Sequence, residues 1–174
     1  MELLEVVDTN GNKTGKVLDR DTIHKNNILH YEVFCMILND KKEVLLQKRS
    51  PNKKHNPNIY GITAGHVSLD ETFKEAMMRE LKEELSLDVA ENDLKEYAPK
   101  RVKIREKNSN VSFYYYIVCN KKAEDFIIQK DELSEVRWFK VEEIVDMIKN
   151  RDPRVVWKED TIPFFEIVNT MEVK

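Results

Sequence analysis

Residues 65–87 decide the fold and read GHVSLDETFKEAMMRELKEELSL. Thr72 is followed three residues later by Glu75, which is the pattern of a capping box and predicts that a helix begins at this point. Four apolar residues then recur at a spacing of four and predict the buried stripe of that helix: Phe73, Met77, Leu81 and Leu85. The same spacing predicts that the glutamates of the helix lie off this stripe, toward solvent or a site.

The helix carries three glutamates that the sequence places close together. Glu80 and Glu84 are four residues apart and share a helical face, with Glu83 beside them. Three carboxylates on one exposed patch repel each other, and a hard divalent cation, Mg²⁺ or Mn²⁺, would relieve this repulsion. A partly hydrated cation of this kind suits a site that cleaves phosphate bonds. The alternative is a solvated face of i,i+4 ion pairs, which contribute about 0.3–0.5 kcal/mol each.

The spacing of the fixed residues resembles that of a known family. Gly65, Glu71 and the run RELKEELSL at residues 79–87 resemble the Nudix box of the Nudix hydrolase superfamily. They fit at every fixed position except Ser86, where the family usually has glycine. A simple charged face does not explain this fixed spacing, so the metal-binding interpretation is preferred. The resemblance implies an α/β/α sandwich with a mixed sheet.

The resemblance also implies a role for each residue of the box. Glu80, Glu83 and Glu84 match the metal-binding positions, and Arg79 matches the arginine that braces them. Glu71 matches the residue that ties the preceding loop to the helix. Gly65 matches a glycine whose backbone approaches the metal, which requires the absence of Cβ. The residue at 86 is expected to end the helix in a left-handed conformation, at a cost of about 1 kcal/mol for serine.

Length and composition indicate the broad class of protein. A chain of 174 residues predicts one domain, residues 1–174. The formal net charge of −3 gives no basic field for a nucleic-acid polymer. No apolar run reaches the ~18 residues of a membrane helix, and the N-terminus lacks the pattern of a signal peptide. Cys35 and Cys119 lie in strand-like runs and are interpreted as buried thiols of a cytoplasmic protein.

The rest of the chain predicts strands with helices on both faces of the sheet. Residues 3–8 and 16–18 form an N-terminal hairpin within residues 1–20, and 31–38 is a central strand buried on both faces. Further strands are expected at 43–47, 59–64, 101–105, 111–119 and 135–139. Helices are expected at 141–149 and 163–171, within a C-terminal region of about 141–172. The hairpin could extend the sheet or exchange across a homodimer, and the sequence leaves both open.

Two groups outside the box are candidates for the same site. Glu132 lies six residues before Trp138, and in several members of the family a carboxylate near here completes the metal site or acts as general base. Arg49, Lys53 and Lys54 lie in a polar loop and are candidates for binding substrate phosphates. The alternatives are a surface glutamate and a solvated basic loop, and both stay open.

The region upstream of the box resembles one branch of the family. Residues 5–8, His24, His30, the run LLQKRS at 45–50 and the run AGH at 64–66 resemble isopentenyl-diphosphate isomerases and their hydrolase relatives. Those isomerases bind a metal through histidines and glutamates, and their catalytic cysteine precedes the glycine-histidine pair. Here that position is Ala64, whereas the box is nearly complete, so hydrolysis is favoured. The roles of the histidines, His66 included, stay open.

The sequence therefore predicts a Mg²⁺- or Mn²⁺-dependent pyrophosphohydrolase. Its substrate is expected to be a small diphosphate-linked molecule, most plausibly a nucleoside di- or triphosphate. Two alternatives remain: an isopentenyl-diphosphate isomerase, and a Nudix-like module that binds a nucleotide without cleaving it. Aromatic residues that could stack on a base, such as Tyr60 and Tyr114, are more typical of core positions.

Overall fold

The computed structural model describes residues 2–173, which form a mixed sheet, a separate hairpin and four α-helices. The strands are β1 (Leu3–Val7), β2 (Lys13–Asp19), β3 (Tyr31–Leu38), β4 (Val44–Arg49), β5 (Tyr60–Gly61), β6 (Thr63–His66), β7 (Lys95–Lys103), β8 (Asn110–Val118) and β9 (Leu133–Phe139). The helices are α1 (Arg20–Lys25), α2 (Phe73–Leu85), α3 (Val141–Lys149) and α4 (Ile162–Glu166). Short 3₁₀ turns lie at Glu91–Asp93, Ala123–Asp125, Glu159–Thr161 and Ile167–Thr170.

Strand β3 is central in the larger sheet, as its apolar run predicts. The strand order is β5-β4-β3-β8-β7, with β6 also paired to β3 and β9 to β4. The β3–β8 pair is parallel, whereas β3 pairs antiparallel with β4 and β6. Strands β3 and β4 pair only at Leu38 and Val44, so the sheet opens between them and β6 lies against β3 in the gap. Strands β1 and β2 form the N-terminal hairpin as a separate two-stranded sheet.

The two faces of the sheet carry two different apolar cores. One core joins odd-numbered residues of β3, such as Val33 and Cys35, to the buried stripe of α2. The other joins even-numbered residues, such as Met36 and Leu38, to α3 and α4. This alternation is the period of two that a strand imposes on its side chains. It produces the predicted α/β/α sandwich.

The box helix has the predicted boundaries. The Thr72 hydroxyl accepts a hydrogen bond from the Glu75 N–H at 3.2 Å, and the Glu75 carboxylate accepts one from the Thr72 N–H at 2.7 Å. At the other end Ser86 adopts the left-handed conformation, with φ of 50°. The N–H groups of Ser86 and Leu87 then bond to the carbonyls of Lys82 and Leu81, which closes the helix.

Several elements differ from the sequence prediction. The strand expected at 59–64 is divided into β5 and β6, and β2 begins at Lys13 and not at residue 16. Helix α1 was not predicted; it begins after Asp19, whose carboxylate accepts a hydrogen bond from the Thr22 N–H at 2.9 Å. Strand β7 begins at Lys95 and not at residue 101, and two register shifts accommodate Pro99 on this outer strand. The predicted helix 163–171 is a short α-helix ending at Glu166, followed by a 3₁₀ turn. Within residues 2–173 no helix combines the length and apolar character needed to cross a bilayer.

Candidate functional site

Arg79 is the centre of the polar network on the box helix. Its guanidinium forms two hydrogen bonds to the Glu71 carboxylate, at 2.8 and 3.1 Å, and one to the His66 carbonyl at 3.0 Å. Its remaining nitrogen lies 2.7 Å from Glu80 and 3.4 Å from Glu83. One cation thus joins the loop before α2 to two of the three box glutamates.

Glu71 is held ionised in this network. Burial opposes ionisation of its carboxyl, but the Arg79 guanidinium and the Ser68 N–H outweigh burial and lower the pKa of Glu71. The ion pair with Arg79 therefore holds the loop against the helix as a charged contact that is only partly exposed to water.

Gly65 lies against Glu80. A Cβ added at Gly65 would come within 2.1 Å of the carboxyl carbon of Glu80, a distance that no pair of non-bonded atoms tolerates. The absence of a Cβ at Gly65 therefore leaves the space that the Glu80 carboxyl occupies, and a larger residue would displace this side chain. Burial raises the pKa of Glu80, and the nearby Glu83 charge adds to this effect.

Glu84 is buried, which corrects the expectation that all three glutamates lie on an exposed patch. Its exposed fraction is 8%, whereas 53% of the Glu83 side chain is exposed. Glu84 faces β4, where the Gln47 amide donates a hydrogen bond to Glu84 Oε2 at 2.6 Å. The Thr63 hydroxyl in turn donates to Gln47 Oε1 at 2.9 Å. Gln47 and Thr63 are also buried, so this line of hydrogen bonds fixes the carboxylate.

Burial gives Glu84 the largest pKa shift among the box glutamates. Burial raises its pKa to about 8, and the charges of Glu80 and Glu132 add to the increase, while Gln47 and Arg49 oppose it. Its Oε1 accepts no hydrogen bond from any residue in the range 2–173. A carboxylate with one oxygen braced and the other free fits the donor set for a divalent cation, which would also restore its charge at neutral pH.

The loop before β9 places Glu132 beside the box. The Gln129 N–H donates to the carbonyl of Glu84 at 2.9 Å, and the Glu132 N–H donates to the Gln129 carbonyl at 2.9 Å. The carboxylate of Glu132 pairs with Lys53 at 2.6 Å. Of the other predicted phosphate-binding residues, Arg49 donates to the His55 carbonyl at 3.2 Å and Lys54 is exposed.

Three histidines form a second group of potential ligands, which sequence reasoning left without a role. The ligand nitrogens of His24, His30 and His66 lie within 4.8 Å of one another, so the three side chains could hold one metal ion. The Nε2 atoms of His24 and His66 are 3.1 Å apart. The box glutamates form no such group within residues 2–173; Arg79 bonds to Glu80 and Glu83, while Gln47 bonds to Glu84.

The surroundings of the histidines orient their nitrogens inward. His30 Nδ1 lies 2.9 Å from the Ile28 carbonyl, which can only accept, so Nδ1 donates this hydrogen bond. His30 Nε2 is buried and has no hydrogen-bond partner within residues 2–173. His66 Nδ1 faces the Glu2 carboxylate at 3.3 Å, and the partnership lowers the pKa of Glu2 to about 2. Outer contacts of this kind are typical of metal-binding histidines.

Glu32 adds a carboxylate to the histidine group. Its Oε1 is 3.4 Å from His30 Nε2 and 3.8 Å from His66 Nε2, and its other oxygen accepts from the Asn110 amide. Burial, followed by the charges of the neighbouring histidines, lowers the pKa of His24. Three imidazoles next to a carboxylate fit a transition-metal ion, with three nitrogens and one oxygen.

Comparison with known proteins agrees with the fold. The NUDIX domain model matches residues 28–163. Isopentenyl-diphosphate Delta-isomerase 2 of Photorhabdus laumondii is 26% identical over 159 residues, which cover 90% of this chain and 88% of that protein. The prenyl-diphosphate phosphatase of Methanosarcina mazei is 26% identical over 151 residues, 84% of each chain. Nudix hydrolase 3 of Arabidopsis thaliana is 29% identical over 164 residues, which cover 89% of this chain but only 21% of that longer protein.

Solved structures show the same fold. A protein of Deinococcus radiodurans superposes with a TM-score of 0.73 at 20% identity, covering 95% of this chain and 98% of that one. A bifunctional NMN adenylyltransferase/ADP-ribose pyrophosphatase of Francisella tularensis, in complex with AMP and a manganese ion, superposes with a TM-score of 0.56 at 17% identity, covering 80% of this chain and 41% of that one. Because the family model covers most of the sequence, the chain belongs to the Nudix family, and its relatives place it among the Nudix hydrolases.

Proposed function

We propose that this protein is a metal-dependent pyrophosphohydrolase that cleaves the diphosphate bond of a small diphosphate-linked molecule. The observation that carries the proposal is that two polar side chains fix the box glutamates. Arg79 bonds to Glu80 and Glu83, and Gln47 donates a hydrogen bond to Glu84. A nucleoside di- or triphosphate and a prenyl diphosphate are the two substrate classes to test first. The second class is suggested by the names of the isomerase and phosphatase relatives.

The box residues would hold the cation. The donors are the carboxylates of Glu80, Glu83 and Glu84 with the backbone of Gly65, a set of oxygen ligands that suits Mg²⁺ or Mn²⁺. When bound, such a cation neutralises charge on phosphate oxygens and lowers the pKa of a coordinated water.

The chain's own residues would supply the remaining functions. Glu132 lies in the loop that is bonded to the end of α2, so its carboxylate is placed to orient water or to take a proton from it. Glu83 is the alternative proton acceptor, because it is the most exposed of the box glutamates. Arg49, Lys53 and Lys54 would bind the phosphates.

Release of phosphate and pyrophosphate tests this proposal. The substrates are nucleoside di- and triphosphates, sugar nucleotides, dinucleotide cofactors and prenyl diphosphates, each with Mg²⁺ and with Mn²⁺. Glu84→Gln is the matched blank, because it keeps an acceptor for Gln47 and removes the charge. Metal-dependent release that Glu84→Gln abolishes is expected, whereas release that persists in this variant would refute the assignment.

The histidine group supports the proposal of a second cation site. It is also the reason to test for isomerase activity. His24, His30 and His66 with Glu32 would hold a transition-metal ion. Ala64 occupies the position before Gly65, where the isomerases have their catalytic cysteine, and this argues against alkene protonation. Metal analysis of the purified protein should find about one transition-metal equivalent that the His66→Asn variant lacks. Conversion of isopentenyl to dimethylallyl diphosphate by the wild type would establish the isomerase instead.

We also propose that residues 1–174 form one domain that acts in the cytoplasm. Cys35 is buried and Cys119 half-buried, and both are free thiols, which is typical of a reducing compartment. Light scattering of the purified chain would decide between a monomer and a homodimer.

A further inference from the structure

Two residues predicted to act on the substrate are bonded to each other. The Lys53 ammonium lies 2.6 and 2.7 Å from the two carboxylate oxygens of Glu132. In this arrangement the candidate phosphate-binding cation is already neutralised, and both oxygens of the candidate base contact a cation. Neither residue can perform its role on the substrate while this contact persists.

The position of Glu132 is fixed by backbone hydrogen bonds. Its N–H donates to the Gln129 carbonyl at 2.9 Å, and its carbonyl accepts from the Ser50 N–H at 2.8 Å. Gln129 is itself bonded to the carbonyl of Glu84 at the end of α2. The ion pair therefore lies on the loop that is bonded to the end of α2 at Glu84.

Moving the Lys53 side chain away from Glu132 requires little free energy. Lys53 lies on the polar loop that follows β4, and its side chain remains 26% exposed, while that of Glu132 is 33% exposed. Ion pairs that remain accessible to water contribute little to stability, because the charges are almost as well solvated apart. A phosphate group carries more charge than a carboxylate and offers more acceptor oxygens, so it can compete for the ammonium.

We propose that the substrate's phosphate replaces Glu132 as the partner of Lys53, and that this exchange releases the Glu132 carboxylate to act on water. The inference rests on the proposed function, because it assigns residues of the same site. It makes Lys53 the residue that senses the terminal phosphate of a diphosphate. A ligand without this phosphate would leave Glu132 paired and the site inactive.

Binding of methylenediphosphonate, a diphosphate analogue that cannot be hydrolysed, tests the exchange. Its dissociation constant is measured by calorimetry with Mg²⁺ present, for the wild type and for single and double variants. Lys53→Met should weaken binding about tenfold or more, because a charge-assisted contact is lost. Glu132→Gln should tighten binding about two- to fivefold, because Lys53 no longer has to leave a carboxylate.

Two further variants separate the exchange from a general effect of charge. Glu135→Gln is the matched control, since Glu135 lies on the adjoining strand and its carboxylate is 3.9 Å from the Lys48 ammonium, not paired with Lys53. It should leave binding unchanged. The double variant Lys53→Met/Glu132→Gln should bind as weakly as Lys53→Met, because Glu132 acts through Lys53.

Any of four results would overturn the exchange: the wild type does not bind the analogue, Glu132→Gln leaves its affinity unchanged, Glu135→Gln increases the affinity equally, or the increase from Glu132→Gln persists without Lys53. The hydrolase assignment is judged separately, by the loss of turnover in Glu84→Gln. A Glu84-dependent enzyme that fails the binding test would refute the exchange alone.

Discussion

Replacing Glu84 with glutamine should stabilise the metal-free protein at neutral and alkaline pH. The Glu84 carboxyl is 8% exposed, and burial together with the charges of Glu80 and Glu132 raises its pKa from 4.5 to about 8. Glutamine has nearly the same shape and still accepts the hydrogen bond from Gln47, but it never carries the buried charge. The variant therefore isolates the free energy of ionising this one group.

The sign and size of the effect follow from proton linkage. Between pH 4.5 and about 8, the folded chain holds a proton on Glu84 that the unfolded chain has released. The folded state then binds more protons, so its stability falls as pH rises through this window. A shift of roughly 3.5 units at about 1.4 kcal/mol each corresponds to roughly 5 kcal/mol, most of it reached by pH 8.

Urea denaturation in the presence of a chelator measures this difference. The free energy of unfolding is determined for wild type and Glu84→Gln from pH 5 to pH 9, and the wild-type value is subtracted. The difference should be small at pH 5 and should grow by several kcal/mol by pH 8. Glu83→Gln is the control, because this carboxylate is 53% exposed and should show no such growth. Parallel curves for wild type and Glu84→Gln would refute the reasoning.

Three further predictions concern the box and its supports. Ser86→Gly should raise the free energy of unfolding by about 1 kcal/mol in urea titrations, because φ of 50° favours glycine, and a decrease would show that the serine side chain stabilises the helix end. Gly65→Ala should lower turnover more than about tenfold, since its Cβ would displace the Glu80 carboxyl; unchanged turnover would show that the position of Glu80 is not critical. Gln47→Met should raise the Mg²⁺ concentration for half-maximal activity about 10- to 100-fold, because Glu84 loses the donor that orients it. An unchanged Mg²⁺ requirement would exclude that role for Gln47, and the melting temperature of each variant controls for misfolding.

The sequence predicted features that depend on neighbours along the chain. The capping box at Thr72, the buried stripe of α2 and the left-handed Ser86 all rest on contacts within one helix or its ends. Helix α3 also has the predicted boundaries, Val141–Lys149. Local hydrogen bonds and the helical period are enough to define such elements.

Features that depend on distant contacts were missed or misplaced. Helical spacing places Glu84 beside Glu80, but it does not show that Gln47, 37 residues earlier, covers Glu84 and buries it. The charges and Pro99 at the start of β7 are typical of loops, although an outer strand tolerates both. A local signal for α1 is Asp19, which lies three residues before Thr22 and caps the helix.

Two different kinds of hydrogen-bond donor hold the three box glutamates in place without a cation. Carboxylates that must bind a cation repel each other without it, so the apo protein needs donors to hold them in place. Arg79 does this for Glu80 and Glu83 with a positive charge, whereas Gln47 does it for Glu84 with a neutral amide. A neutral donor compensates burial less than a charge does, so the pKa of Glu84 rises to about 8. Burial thus opposes the ionisation of Glu84 in the empty protein, and a bound cation would favour it.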